Sequence, residues 1–271
     1  MISYGSVTKR FRDGTVAVDD FSLSVPRGSL TVLAGSSGCG KTTLMRMVNR
    51  MVDPSEGRIA VDGQDVAGQD PVTLRRRIGY VMQNSGLLPH RTVGQNIATV
   101  PRLTGMDRSA ARKKAADMMD LVGLAPELAN RYPAQLSGGQ QQRVGVARGL
   151  AADPEILLMD EPFGAVDPLV RADLQRQLVD LHHQLGTTIL FVTHDMDEAL
   201  TLGDHIVLLQ AGARIAQQGT PKDFVSAPAS DFVRDFLGLD RGQRTLHRET
   251  AADGSVLLVD PHGRPAGVLA E

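Results

Sequence analysis

TVLAGSSGCGKTTLMRMVNRM, residues 31 to 51, decides the fold. It opens on an apolar run that reads as a buried strand, and it ends on a stretch of helical character. Between them, Gly35 to Thr42 spells G-x-x-x-x-G-K-T, in the strand-to-helix setting that this pattern requires. Glycines permit turns that no side chain could follow, and such turns aim backbone N–H groups at phosphate oxygens. Gly35, Ser36, Ser37, Gly38, Cys39, Gly40, Lys41, Thr42 and Thr43 are therefore the candidate nucleotide cradle. Lys41 is placed to reach β- and γ-phosphates, and the Thr42 hydroxyl to ligate Mg²⁺. Cys39 is a small residue inside this loop. Its place near a helix start predicts a reactive thiol whose alkylation would block nucleotide binding.

The rest of the chain supplies a setting for such a loop. SLTVLAG, EILLMD, TTILFVTHD and HIVLLQAG read as strands buried on both faces, as in a parallel sheet. Helical stretches separate them, so the class is α/β. TVAVDDFSLSV instead alternates apolar and polar residues, as a half-exposed antiparallel strand would, and RIAVDGQDV continues that style with Asp62-Gly63 as a turn. From about Thr92 to Ala151 strand signals stop. TVGQNIATVPRL, DRSAARKKAADMMDLVGL and GGQQQRVGVARGLAA are helical in period, so a helical block interrupts the sheet. TPKDFVSAPASDFVRDFLG reads as two short helical turns, and SVLLVDPHGRPAGVLAE as a strand, a turn and a second strand.

ILLMDEP, residues 156 to 162, carries an acidic pair to the end of a strand, the edge where open α/β sheets bind ligands. Asp160 can hold Mg²⁺ through water. Glu161 can accept a proton from an attacking water. Gln83 after RRIGYVM and His194 after TTILFVT also sit at strand ends, within reach of a γ-phosphate or a lytic water. LSGGQ, residues 136 to 140, is a second glycine-rich helix start and hence a second anion site. A helix cap by Ser137 accounts for neither glycine.

The balance of 29 basic and 31 acidic residues gives no general attraction to nucleic acid. The single cysteine excludes an internal disulfide and a cysteine-rich metal site, and fits a reducing compartment. The N-terminal MISYGSVTKRF has no apolar run of the secretory kind, and the longest apolar runs are far short of a membrane span, so a membrane role is expected to come through a partner.

In this order, the motifs resemble the ATP-binding cassette (ABC) ATPase family over about residues 2 to 238. GSSGCGKT is similar to its Walker A motif, ILLMDE to Walker B, Gln83 to the Q-loop, LSGGQ to the signature, FGAVD to the D-loop and His194 to the switch histidine. The resemblance implies a P-loop NTPase (RecA-like) core with an antiparallel β subdomain and an inserted helical signature subdomain at about 92–151. It implies MgATP, with Phe11 stacked on adenine and Gln83 joining Thr42 and Asp160 at the metal. It also implies a head-to-tail homodimer or paired cassette in ATP. There Ser137, Gly138, Gly139 and Gln140 close over the partner's nucleotide, and Asp167 crosses the interface. Glu161, His194, Gln83 and Lys41 would carry catalysis.

QNSGLLPHRTVGQNI, DEPFGAVDPLVR and TPKDFVSAPASDFVRDFLG resemble importer ATPases for quaternary ammonium osmoprotectants such as glycine betaine, carnitine and choline. That implies a place at the cytoplasmic face of the membrane, a permease gripped near Leu87, Leu88 and Pro89, and an extracytoplasmic solute-binding protein reached through it. No nucleic-acid partner is implied. Related importers for methionine or a polyamine share much of this pattern. Residues 239–271 are a tail whose SVLLVDPHGRPAGVL is similar to the end of one CBS-type half-module; a full regulatory pair does not fit in it.

Overall fold

The computed structural model describes residues 1–164, 166–239, 246–250, 256–261 and 263–269. Strand β1 (Ile2–Arg10) pairs antiparallel with β2 (Val16–Val25), and β3 (Leu30–Gly35) runs through the glycine loop into helix α1 (Lys41–Val48). β4 (Glu56–Val61) and the short β5 (Gln64–Asp65) return to the first pair, making a four-stranded antiparallel sheet in the order β2-β1-β4-β5. Asp62 and Gly63 both take positive φ, 50° and 76°, as the expected two-residue turn between β4 and β5 demands. β1 escaped the sequence reading because Ser6, at φ 45°, breaks its alternation in mid-strand.

After α2 (Pro71–Arg76), β6 (Ile78–Val81) joins a second sheet. The chain then leaves it for α3 (Val93–Ile97), α4 (Thr99–Leu103), α5 (Arg108–Leu121) and α6 (Gly138–Leu150), with single 3₁₀ turns at Pro126–Asn130 and Pro133–Gln135. It returns as β7 (Ile156–Asp160), α7 (Pro168–Leu185), β8 (Thr188–Thr193), α8 (Met196–Leu202), β9 (His205–Gln210) and β10 (Arg214–Gly219). The two short helices α9 (Pro221–Ser226) and α10 (Asp231–Phe236) follow, where two helical turns were expected. The six-stranded sheet runs β10-β9-β3-β8-β7-β6 and is parallel except for β10.

Why the strand sequences are apolar throughout is visible in how their residues divide. Leu30, Val32 and Ala34 of β3 pack into one core with Leu157, Met159, Ile189 and Phe191, against α5, α6 and α7. Leu33 packs on the other face with Leu158, Leu190 and Val192, against Leu44 and Val48 of α1 and Phe21 of β2. Alternate residues thus feed opposite cores, so neither face can be polar. Each such side chain contributes about 1.5–3 kcal/mol of burial. The two cores clamp β3, and with it the mouth of the glycine loop.

In the tail, β12 (Val256–Val259) and β13 (Pro265–Val268) form the expected strand–turn–strand, and β11 (His247–Thr250) adds a third antiparallel strand on β12. β11 is exposed throughout, so its HRET carries no alternation for a sequence reading to find. Of the stretch 255–271, residues 255, 262, 270 and 271 lie outside the described residues.

Candidate active site

Gly35, Gly38 and Gly40 take φ of 150°, 80° and 112°. A Cβ on Gly40 would sit 2.4 Å from the carbonyl oxygen of Ala17, and one on Gly35 2.5 Å from that of Leu209. The loop is therefore pressed against β9 at Gly35 and against β2 at Gly40, with no room for a Cβ at either position. Gly40 caps α1 without a side-chain partner, so the first-turn N–H groups face outward as donors. Ser37, Gly38, Gly40, Lys41, Thr42 and Thr43 line one cavity of about 170 Å³ together with Ala17 and Glu161. Gly35, Ser36 and Cys39 complete the loop but do not line that cavity. Lys41 is 4% exposed, and its Nζ donates to the carbonyls of Gly35 (2.7 Å) and Ser36 (2.9 Å).

One expectation is corrected. Cys39 is buried, with its Sγ 3.8 Å from Lys41 Nζ and packed in the core under β3. A thiol enclosed by the fold of its own loop is not open to an alkylating reagent, even so near a helix start.

At the end of β7, Asp160 Oδ1 accepts from the Thr42 hydroxyl at 2.8 Å. Its other oxygen is 3.3 Å from Tyr80 Oη and 3.8 Å from an Arg46 nitrogen. Neither neighbour was found in the sequence, although both were within reach of a pattern. Arg46 lies one helical turn after Thr42. Tyr80 pairs with Leu158, so it shares a sheet face with Asp160 two residues on. Burial, and then the Asp160 charge, push the Tyr80 phenol above its ordinary value, which keeps it a neutral donor.

Glu161 leaves β7 at φ 46°, unusual for a residue with a side chain. Its N–H donates to Val192 at 3.0 Å and its carbonyl accepts from Gly164 at 3.2 Å, which hold that turn. Its Oε2 lies 3.0 Å from His194 Nδ1 and 3.5 Å from Gln83 Nε2. Gln83 and His194, more than a hundred positions apart in the chain, thus meet on the Glu161 carboxylate. Gln83 has no contact with Asp160 or Thr42 among its described interactions, so its expected part at the metal has no support in this geometry.

The remaining expected residues stand apart. Phe11 is 40% exposed at the end of β1, with Lys9 Nζ 5.3 Å from its ring centroid. Ser137 caps α6, and its hydroxyl and the Gln140 side chain each accept the other's backbone N–H. Gly138 is exposed, and a Cβ on Gly139 would meet Val170 at 2.7 Å. None of residues 136–140 lines the Lys41 cavity. Asp167 is exposed just before α7, and Ala165 of FGAVD lies outside the described residues. Leu87 packs on the core, Leu88 is held by Asn96 through both backbone groups, and Pro89 is exposed. The apolar contact expected of all three thus rests on Pro89 and the half-buried Leu88.

No described helix is long and apolar enough to cross a membrane. The profile of the family described as "ABC transporter" matches residues 18–164, more than half of the chain. The choline transport ATP-binding protein OpuBA of Bacillus subtilis is 49% identical over 241 residues, 89% of this chain and 63% of its own length. This chain therefore spans less than two thirds of that relative. The osmoprotectant import ATP-binding protein OsmV of Salmonella typhimurium is 46% identical over 276 residues, 100% of this chain and 72% of its own. Among solved structures, a dimeric ATP-binding cassette in a post-hydrolysis state, bound to ADP and Pi, superposes with a TM-score of 0.74. It is 30% identical, and the match covers 82% of this chain and 99% of that one.

Proposed function

This chain belongs to the ABC transporter family, and from that premise we propose that it is the ATP-hydrolysing subunit of an importer for a quaternary ammonium osmoprotectant. The observation that carries the chemistry is the Glu161 carboxylate, held by His194 and Gln83 at the rim of the Lys41 cavity. Residues 1–238 are the nucleotide-binding unit, with the helical block 92–151 inside it, and 239–271 are an appended tail.

ATP is the substrate. The loop N–H groups and Lys41 take its phosphates, once the ammonium exchanges the carbonyls of Gly35 and Ser36 for phosphate oxygens. Phe11 offers an exposed ring face for the base. The donor set at Thr42 and Asp160, a hydroxyl touching a buried carboxylate, suits Mg²⁺, which prefers few protein oxygens and retained water. That ion would neutralise charge on the phosphates. Tyr80 and Arg46 hold the outer oxygen of Asp160, leaving Oδ1 on the Thr42 side. Glu161 takes the proton of the attacking water, and His194 and Gln83 fix the carboxylate that does so.

Ser137, Gly138, Gly139 and Gln140 complete the site of a second copy. The separation of α6 from the Lys41 cavity supports this reading, since the signature helix has its own capped N-terminus and no part in that cavity. The dimeric neighbour supports it too. Two copies pair head to tail around two nucleotides, patch i against patch j. The permease contact lies after Gln83, and a solute-binding protein acts through the permease from the other side of the membrane. The solute class rests on the relatives OpuBA and OsmV.

Co-purification from the native membrane tests this. A co-purifying permease and solute receptor are expected, with MgATP hydrolysis by the complex and stimulation by glycine betaine, carnitine or choline. Recovery bound to ribosomes or DNA would leave the ATPase chemistry and overturn the transport reading. Stimulation by methionine or a polyamine instead would overturn only the solute class.

A further inference from the structure

We propose that Arg171 is a positioning residue for hydrolysis, tying Val166 and Asp167 to the loop that presents His194 to Glu161. The inference rests on the ATPase reading above and deepens it. Arg171 stands one turn into α7, and its backbone N–H donates to Asp167 at 2.8 Å. Its Nη2 donates to the carbonyl of Val166 at 3.3 Å. The same guanidinium faces α8 on its other side. Nη1 is 3.6 Å from Asp195 Oδ2 and Nε is 4.0 Å from Glu198 Oε1.

Those two carboxylates frame His194: Asp195 is its neighbour in the chain and caps α8, and Glu198 holds Thr193 on its other side. Glu198 is 5% exposed, and its Oε2 accepts from the Thr193 hydroxyl at 2.6 Å. That hydroxyl accepts the Asp195 N–H at 3.0 Å. Gln175 Nε2 of α7 donates to Glu198 Oε1 at 3.3 Å. Thr193 and Asp195 are thus anchored, while the His194 side chain is 53% exposed and directed at Glu161. Arg171 supplies the positive charge beside this pair of acids. With that charge removed, a buried carboxylate and its neighbour one turn away repel each other, and the turn carrying His194 loosens.

A second observation gives the contact a direction. Arg171 Nε is buried and makes no hydrogen bond, although Glu198 Oε1 is near. Polar groups buried in this way ordinarily find partners. A shift of α7 toward α8 of about an ångström brings Nε within bonding distance of Glu198. Val166 and Asp167 lie just before α7, so a contact that shifts them bears on Arg171, and through Glu198 and Thr193 on His194. Nucleotide closure at the interface would in this way set the histidine that orients Glu161.

The test is a double-mutant cycle on MgATP hydrolysis with the full chain. Arg171→Gln is expected to lower kcat about tenfold while leaving the KM for ATP within about twofold, and Arg171→Lys to recover most of the loss. Combined with His194→Ala, Arg171→Gln is expected to cost nothing further, because the arginine acts through the histidine. Losses that multiply would overturn the inference. A second measurement does not depend on residual activity: ¹³C-labelled histidine spectra, with the His194 signal assigned by its absence in His194→Ala. Arg171→Gln should displace that signal alone. An unmoved signal, or displacement of all histidine signals together, would count against a positioning role. A wild-type chain that hydrolyses no MgATP, alone or with its membrane partners, overturns the functional reading and this inference with it. A hydrolysing wild type with multiplicative losses overturns this inference only.

Discussion

His194 Nδ1 and Glu161 Oε2 lie 3.0 Å apart at the ends of the neighbouring strands β8 and β7. The backbone beneath them is joined as well, since the Glu161 N–H donates to Val192. The carboxylate is thus held from below by the sheet and from the side by imidazole and by Gln83. Replacing Glu161 by Gln keeps the shape and removes the base. Hydrolysis is expected to fall by about 10²–10⁴-fold while ATP binding persists. Size-exclusion chromatography in ATP should then show a stable dimer. A Glu161→Gln chain that stays monomeric in ATP and hydrolyses normally would remove Glu161 from the mechanism.

Two glycines of the same loop should respond differently to alanine. At Gly40 the new Cβ meets the Ala17 carbonyl at 2.4 Å and the backbone is left-handed, so the loop must distort. At Gly38 the φ of 80° remains, but nothing lies within 4 Å. Gly38→Ala is expected to cost about 1–2 kcal/mol of stability from backbone strain alone. Gly40→Ala is expected to abolish ATP binding as well. Titration with a fluorescent ATP analogue separates the two, and equal affinities would contradict the packing described at Gly40.

Much of this was legible beforehand, for a stated reason. The buried strands β3, β7, β8 and β9 are apolar on both faces because each feeds two cores, and that leaves an unbroken run in the sequence. The glycine loop follows from close approach at Gly35 and Gly40 and from left-handed backbone at Gly38, both of which favour glycine. What stayed hidden depends on side chains meeting across the fold. Tyr80 and Arg46 meet Asp160 from a neighbouring strand and a preceding helix, and Arg171 reaches Glu198 across two helices. A local period can line Arg46 up with Thr42 or Tyr80 with a sheet face, but none marks which distant carboxylate they meet. The burial of Cys39 was hidden likewise, because the core beneath the loop is built by residues distant in sequence.

Cys39 gives a direct check on that burial. The chain has one cysteine. A thiol reagent such as DTNB should leave the native protein unlabelled over minutes and titrate one thiol per chain in guanidinium. Rapid native labelling, slowed by MgATP, would show instead that the loop opens readily in solution.

Arg148 of α6 donates from Nη1 to the carbonyl of Gly86 (2.6 Å) and from Nη2 to that of Ser85 (2.7 Å). Ser85 and Gly86 are both left-handed, at φ 50° and 55°, in the turn that follows Gln83. One guanidinium therefore fixes the loop after Gln83 to the helix that begins at Ser137. Burial lowers the Arg148 pKa from its ordinary value, yet arginine stays charged and the bonds are charge-assisted. Arg148→Ala leaves two carbonyls without partners and is expected to cost about 2–4 kcal/mol. In the importer complex proposed above it should also loosen the link between hydrolysis and uptake, read as ATP consumed per solute moved. An unchanged ratio would mean that this clamp is structural only.

Glu198 should give the protein a pH-dependent term of predictable sign. Burial, the larger cause, and the nearby Asp195 charge raise its pKa above the ordinary carboxylate range, against the Thr193 hydrogen bond and the Arg171 charge, which lower it. The folded state therefore holds this proton at pH values where the unfolded chain has released it. Its contribution to stability is full below the unfolded pKa of about 4.3 and is lost as pH rises through the raised folded value. Glu198→Gln lacks the term, while its amide still accepts from Thr193. The stability of Glu198→Gln relative to wild type should accordingly rise as pH increases from about 4 toward neutrality. Urea unfolding at a series of pH values measures the difference. A difference that is flat in pH, or that falls with rising pH, would mean that Arg171 and Thr193 hold the carboxylate ionised in the folded state.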